Sequence, residues 1–256
     1  MPSPISILLG PTSLGCIGIY IAIIVLQAII PGRDLPKVKG WYTRAVLSFV
    51  VYFFLSTYLP MYWDKYLAQY QLVDLGSMNP FLSAGIAVLV FELLIYIWHR
   101  AMHQSDFLWR TFHQMHHSAE RVDAVGAFYF SPLDMIGFTM VGSLSLALIV
   151  GISPQATTYF LFASFFLGMI QHTNISTPQW LGYLIQRPES HTIHHGKSIH
   201  GYNYSDLPLF DILFGTFRNP KGFEVETGFY LGASAQIGDM LLCKEISNPK
   251  PIDHSL

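Results

Sequence analysis

The run Phe81 to Trp98, FLSAGIAVLVFELLIYIW, continues without a break into His99-Arg-Ala-Met-His103. This junction decides the architecture. The run carries one charge, Glu92, and is close to the roughly 20 apolar residues that cross a bilayer as a helix. The two histidines that follow stand four apart, so they share one helical face. The reading is a membrane helix that ends, at the water interface, on a pair of imidazoles aimed at one point.

Two further clusters repeat the device, His113-Gln-Met-His116-His117 and His191-Thr-Ile-His194-His195. Eight imidazoles exceed the about four ligands of one tetrahedral zinc and suit two metals with open positions. Adjacent histidines on a helix point about 100° apart, so each His-His pair can address two ions. A lone histidine is ordinarily a satisfied polar residue; three clusters make metal ligation the stronger reading. His172, in Gln171-His-Thr-Asn174, is expected as a ninth ligand. His200 is carried as a tenth candidate, with a polar loop role as its alternative, and His254 is read as unrelated. No catalytic group separate from these ligands is expected.

Glu92 lies two turns before His99. A carboxylate inside a membrane helix needs a partner, and a ligating histidine needs an acceptor for its other N–H. Glu92 is therefore expected to be that acceptor. Asn203 and Asp211 are candidates for the same supporting shell, with turn and cap roles as alternatives. Imidazole suits Zn, Cu, Fe and Ni, and neither Cys16 nor Cys243 adjoins a cluster. Iron and zinc both remain open on this chemistry.

The rest of the chain supports a bilayer. Of its 256 residues 52% are hydrophobic and 12% charged, against roughly 25% charged in an average soluble domain. Five apolar stretches run about Leu14–Ile30, Ala45–Met61, Phe81–Trp98, Met135–Ile152 and Gln155–Ile170. Several are near the short limit, so the expectation is an all-α integral membrane protein with about four to five transmembrane helices and a cytosolic helical cap carrying the histidines. The turn Gly151-Ile-Ser-Pro154 should make the last two a hairpin. The first apolar run lacks a basic segment ahead of it and reads as a retained helix. Residues 1–80 are read as N-terminal helices and loops, 81–219 as the catalytic region and 220–256 as a cytosolic tail, loosely ordered from Lys244 to Leu256. No basic stripe suggests nucleic acid, and two distant cysteines suggest no disulfide.

Charge sets the orientation. Arg33, Lys37, Lys39 and Arg44 lie between the first two spans, and the positive-inside rule puts that loop in the cytosol. Alternation then leaves Lys65 as the one basic residue outside, with thirteen of fourteen inside. The same topology puts all three clusters on the cytosolic face, although it was set by Lys and Arg alone.

At these residues the chain resembles the fatty acid hydroxylase / sterol desaturase superfamily, integral membrane di-iron oxygenases with cytosolic histidine boxes. The resemblance runs from Glu92 to Asn219. It includes Tyr96-Ile-Trp-His-Arg-Ala-Met-His103, Leu108-Trp-Arg-Thr-Phe-His-Gln-Met-His-His-Ser118 with Glu120 and Asp123, the His172 segment, and Tyr202-Asn-Tyr204 followed by Leu207-Pro-Leu-Phe-Asp-Ile-Leu-Phe-Gly-Thr-Phe217. Two departures bear on the substrate: Ser131-Pro-Leu-Asp134 where many members have histidine before Pro-Leu-acid, and the presence of His200.

The resemblance implies two iron ions, O2 as co-substrate, and hydroxylation of a C–H bond in a fatty acyl or sterol-like membrane lipid. A desaturase on the same centre is the near alternative; a zinc-dependent hydrolase and a metal transporter are remote ones. With no fused haem domain, electrons are expected from a separate donor, cytochrome b5-like or a ferredoxin with its reductase. The membrane would be a bacterial inner membrane or the endoplasmic reticulum. Phe107, Trp109, Phe112, Phe128, Tyr129 and Phe130 are candidate pocket walls or an interfacial aromatic belt.

Overall fold

Four of the five long helices begin where the sequence supplies a prepared N-terminus. In the computed structural model, which describes residues 1–248, the long helices are α1 (Pro11–Ile29), α2 (Trp41–Leu67), α3 (Pro80–Gln104), α4 (Pro132–Ser143) and α5 (Pro154–Ile170). Four of the five open with proline at the first turn, where its missing N–H costs no hydrogen bond. Asn79, Ser131 and Ser153 each cap a first turn with a side-chain oxygen, satisfying orphan backbone donors. α2, which follows Gly40, has neither proline at its first turn nor a side-chain cap. α4 continues through a π-helical turn, Leu144–Ile149.

Four helices are long and apolar enough to cross a membrane, Pro11–Ile29, Trp41–Tyr70, Pro80–Gln104 and Pro132–Ile149. α5, at 17 residues, falls just short by length. The fold is the expected all-α membrane protein; Val73–Asp74 pairs with Val150–Gly151 in parallel, and a single antiparallel bridge joins Gly196 to Thr227. In α1 and α2 only 11% and 17% of the apolar window is buried, against 39% in α3 and α4. The first two therefore turn most of their surface to lipid.

The hairpin of α4 and α5 is joined by a short turn as expected, but its arms splay. α4 packs mainly on α2 and α3, and α5 on α3 and α1. A cavity of about 880 Å³ occupies the space the arms leave. Between the cavity and the cap, Tyr20, Phe49, Phe128, Phe130, Met135 and Met169 form one buried apolar cluster, of which Phe49, Phe128 and Phe130 line the cavity.

Above the bundle sits a cap built from residues 105–131 and 171–248. Its core joins Trp41 and Ala45 of α2 to Met115, Ala119, Phe229, Ala233, Met240 and Ile246. This corrects the expectation of a loose segment from Lys244. The Gln114 side-chain amide donates to the Lys244 carbonyl at 2.8 Å and accepts from Ile246 N–H, and Ile246 is buried. A single apolar residue in a polar stretch carries no periodic signal, yet buried Ile246 ties this segment to Gln114 of the second cluster. The remainder of that expectation, with His254, lies outside the described residues.

Candidate metal centre and lipid cavity

The last turn of α3 presents His99 and His103. The chain then turns at Ser105, which caps the short helix Asp106–Leu108, and winds through a π turn, Trp109–His113, into Gln114–His117. π turns inside helices often mark functional sites. Here the turn delivers His113, His116 and His117 beside the end of α3. The third cluster lies on α6 (Pro188–His194), with His195 at its C-terminus.

Nine of the ten candidate histidines converge, in two neighbouring groups. One is His99, His103, His113, His117 and His194; the other is His116, His172, His191 and His195. Within each group the ligand nitrogens lie within 4.8 Å of one another. Both His-His pairs divide between the groups, as the 100° stagger predicts. The groups touch: the His117 and His195 rings stack at 4.3 Å. His200 stands outside both. Its Nδ1 is 3.2 Å from His117 Nδ1, and it occupies a left-handed backbone position with φ 42°.

The hydrogen bonds around the rings fix which nitrogen is free. His99 Nδ1 donates to the Tyr204 carbonyl at 2.6 Å, His172 Nδ1 to the Gly168 carbonyl at 2.7 Å, and His194 Nδ1 to the Tyr202 carbonyl at 2.7 Å. His113 Nδ1 donates to Asp134 Oδ2 at 2.7 Å. Each of these imidazoles therefore carries its proton on Nδ1 and turns a lone pair on Nε2 inward. His99 Nε2 and His113 Nε2 face each other at 2.9 Å, two acceptors with no proton between them. In the second group His172 Nε2 lies 3.1 Å from His116 Nε2 and 3.0 Å from His191 Nε2. His103 Nε2, His117 Nε2 and His194 Nε2 are buried with no partner. Converging lone pairs without a donor are costly in a buried site, and a cation relieves all of them together.

Burial also holds the rings neutral. It pushes His113, His116, His117, His191, His194 and His195 well below the usual imidazole range, and His172 to about 4. Neutral imidazole is the metal-ligating form.

The supporting residues differ from expectation. Glu92 is fully buried, but it accepts from no histidine. Its Oε2 takes the backbone N–H groups of Asp206 and Leu207 at 2.8 and 3.1 Å. Asp211 accepts from the Tyr204 and Ser205 N–H groups and from the Ser205 and Thr216 hydroxyls. Asn203, at φ 58°, ties the Ser190 and Arg218 carbonyls together and accepts from Arg218 N–H. All three brace the loop 203–207, whose Tyr204 carbonyl holds His99. They act on the backbone that positions an imidazole, one step further out than expected.

The direct carboxylate partner is Asp134, which sequence reasoning missed. It is 0% exposed and sits in the first turn of α4, where the Ser131 hydroxyl caps its own N–H. An acid opening an otherwise apolar helix, just after the second cluster, was the available signal.

The cavity opens onto both groups. His99, His113, His116, His172 and His191 form one end, and Phe128, Phe130 and Phe138 line the adjoining wall. The Phe130 ring lies 4.4 Å from that of His116. The other aromatic candidates do not line it: Trp109 packs on His103 and His117, Phe112 on Trp98, the Tyr129 hydroxyl donates to the Ser234 carbonyl, and Phe107 is exposed.

Residues 84–216 match the fatty acid hydroxylase family. That stretch is more than half of the chain, and the protein belongs to this family. It is 32% identical over 154 residues to a very-long-chain aldehyde decarbonylase of Oryza sativa subsp. indica, covering 54% of this chain and 58% of that protein. It is 28% identical over 149 residues to sphinganine C4-monooxygenase 1 of Arabidopsis thaliana (54% and 57%) and 25% identical over 185 residues to a cholesterol 25-hydroxylase-like protein of Danio rerio (68% and 70%). The matches thus span somewhat more than half the length of the first two relatives. No solved structure matches the chain.

Proposed function

We propose that the protein is a membrane-bound, O2-dependent lipid hydroxylase whose two histidine groups each hold one iron ion. The observation that carries this reading is the pair of buried imidazole groups with inward, unpartnered nitrogens at the end of an apolar cavity. The names of the relatives, among them two lipid oxygenases, support it. His99, His103, His113, His117 and His194 would hold one ion, and His116, His172, His191 and His195 the other. His200 belongs to neither set.

When bound, iron supplies the activation of O2 that attack on an unactivated C–H bond requires. The chain's own part is positional. Asp134 and the carbonyls of Gly168, Tyr202 and Tyr204 fix four rings in one tautomer. Phe128, Phe130 and Phe138 keep water from the cavity end and steer a hydrocarbon against the histidines. The splayed α4 and α5 give a lipid room within the bilayer. Electrons come from a separate donor protein at the cap, which the positive-inside topology puts in the cytosol.

The test is product analysis of membranes containing the full chain, supplied with O2 and a reducing system. Products gaining one oxygen atom, lost in the His117→Ala variant, support the hydroxylase. Products losing two hydrogens instead assign a desaturase on the same centre. Turnover without O2 or reductant would overturn both in favour of a hydrolase.

A further inference from the structure

Part of the cap reaches below the level of the histidines. The apolar run of α3 ends at Trp98. Along the helix Glu92 lies about 9 Å inside that end, and Tyr96 about 3 Å inside it, by rise per residue. Glu92 Oε2 accepts the Asp206 and Leu207 N–H groups. The Tyr96 ring stacks on Phe214 at 5.0 Å, and its hydroxyl lies 3.2 Å from that of Thr216. The segment 206–216 is therefore pinned to α3 at two levels, both within the apolar run.

The composition of the segment fits that depth. Between Leu207 and Phe217 the one charged residue is Asp211. It is buried, and its oxygens accept from the Tyr204 and Ser205 N–H groups and the Thr216 hydroxyl. The short helix Leu209–Phe214 packs on α3. Leu209, Ile212 and Leu213 stand three and four apart and share one face, with Asp211 on the opposite side. That face is exposed, Leu213 to 65%. A patch of large apolar side chains marks a protein or membrane contact. Here it adjoins the exposed stripe Leu82, Ile86, Leu89 and Ile97 of α3, the face this membrane helix turns to lipid. Irregular backbone at membrane depth needs partners within the protein, and Glu92 supplies an acceptor for two N–H groups at the point where the segment enters.

The borders of the patch are those of a membrane interface. Trp180 and Tyr183 are three apart on a 3-10 turn and both exposed, so they share a face. Tyr183 joins them to the segment through the Phe217 ring, at 5.7 Å. Trp and Tyr favour the boundary between lipid and water. The cations next in sequence are Arg100 on α3, which donates to the Tyr96 hydroxyl at 2.8 Å, and Arg218, whose guanidinium lies over the Tyr202 ring at 4.2 Å.

We propose that residues 207–217 are a re-entrant segment of the cap, pinned by Glu92 and lying in the leaflet on the histidine side. Leu209, Ile212 and Leu213 rest on acyl chains, and Trp180 and Tyr183 lie at headgroup level. This contact needs no turnover and stands apart from the hydroxylase reading. Asp211, on the inner side of the same helix, holds the loop whose Tyr204 carbonyl orients His99, so the leaflet and the first histidine group share one support.

Spin labels on single cysteines test it, in the full chain carrying Cys16→Ala and Cys243→Ala, reconstituted in phosphatidylcholine vesicles. Relaxation by O2, which concentrates in lipid, is compared with relaxation by a water-soluble nickel chelate. Leu89→Cys gives the lipid reference. Val225→Cys gives the water reference, at a cap residue 89% exposed between Glu224 and Glu226. Labels at Leu213→Cys and, independently, Ile212→Cys are expected to be relaxed by O2 and shielded from the chelate, as at position 89. Access to the chelate as at position 225 would put the face in water and overturn the proposal. Shielding from both reagents would put protein over it, a second copy of the chain included, and overturn it equally. Adding Glu92→Ala should shift the position-213 label toward the water pattern while the position-89 label keeps its own; no shift would overturn the pinning by Glu92.

Discussion

Replacing Asp134 by alanine removes the acceptor from His113 Nδ1 and touches no other histidine. Both groups are essentially inaccessible, at 1% and 0% exposure, so the lost acceptor is not replaced by bulk solvent. A hydrogen bond to a charged group contributes about 1.5–3 kcal/mol, which at about 1.4 kcal/mol per decade is roughly 10- to 150-fold in affinity. Loss of an outer partner of a metal-bound histidine costs about 10- to 100-fold by direct experience, so the two routes agree. The effect should fall on one ion only, because His113 belongs to the first group. Iron per chain, measured in purified protein against a graded chelator, is expected to drop from about two to about one, with the second ion retained. Asp134→Asn keeps an acceptor and should lose less. Ser131→Ala removes the cap of the same helix, at about 1 kcal/mol, without removing the acceptor. If Asp134→Ala held both ions with undiminished resistance, or if Ser131→Ala lost iron equally, the orienting role of Asp134 would be refuted.

Other outcomes are set by the same geometry. His200→Ala should leave about two ions per chain where His117→Ala loses one; equal loss from both would return His200 to the ligand set. Glu92→Ala removes the acceptor from two part-buried N–H groups, at a cost of up to about 1–3 kcal/mol each where water does not replace it. It should lower the thermal midpoint and expose the 203–207 loop to protease, and an unchanged midpoint would contradict the bracing role. Metal-stripped protein should lose stability on acidification. Burial lowers His172 from the ordinary 6.5 to about 4, so the unfolded chain binds the proton first; stability falls as pH drops below about 6.5, and the His172 share of the loss is complete near pH 4. A thermal midpoint that rises over that window would contradict the buried, neutral ring.

The bundle was legible because lipid and water impose a coarse code. Apolar runs located all five long helices, but their ends were misplaced in a systematic way. α1, α3, α4 and α5 start at Pro11, Pro80, Pro132 and Pro154, one to three residues before the apolar runs, because proline and its preceding residue define the first turn. α2 extends to Leu67, past the apolar limit at Met61. Trp63, Asp64 and Tyr66 carry helix geometry beyond the apolar run, and Pro60 does not break it. The splay of α4 and α5 was not legible, since a tight turn fixes where two helices join and says nothing of what fills the gap between them.

The centre was legible to the extent that its parts are local. Spacing of three and four puts imidazoles on a face, and the adjacent pairs announce two directions, so the division of His116 from His117 and of His194 from His195 followed from helix geometry. What spacing cannot convey is the far partner of each ring. Glu92 looked like the acceptor for His99 because it shares a helix with it, but a helix face two turns down is over 10 Å away by rise, about 1.5 Å per residue. The acceptor is instead a carbonyl 105 positions along the chain. Glu92 reaches the same ring only by holding the loop that carries that carbonyl. For Asp134 the converse holds: in sequence it is part of a motif variant at Ser131-Pro-Leu-Asp134, while its burial and its 21-residue reach back to His113 make it the carboxylate in direct contact. The candidate ligands are written in local periodicity; the groups that fix their tautomers are written in the tertiary fold.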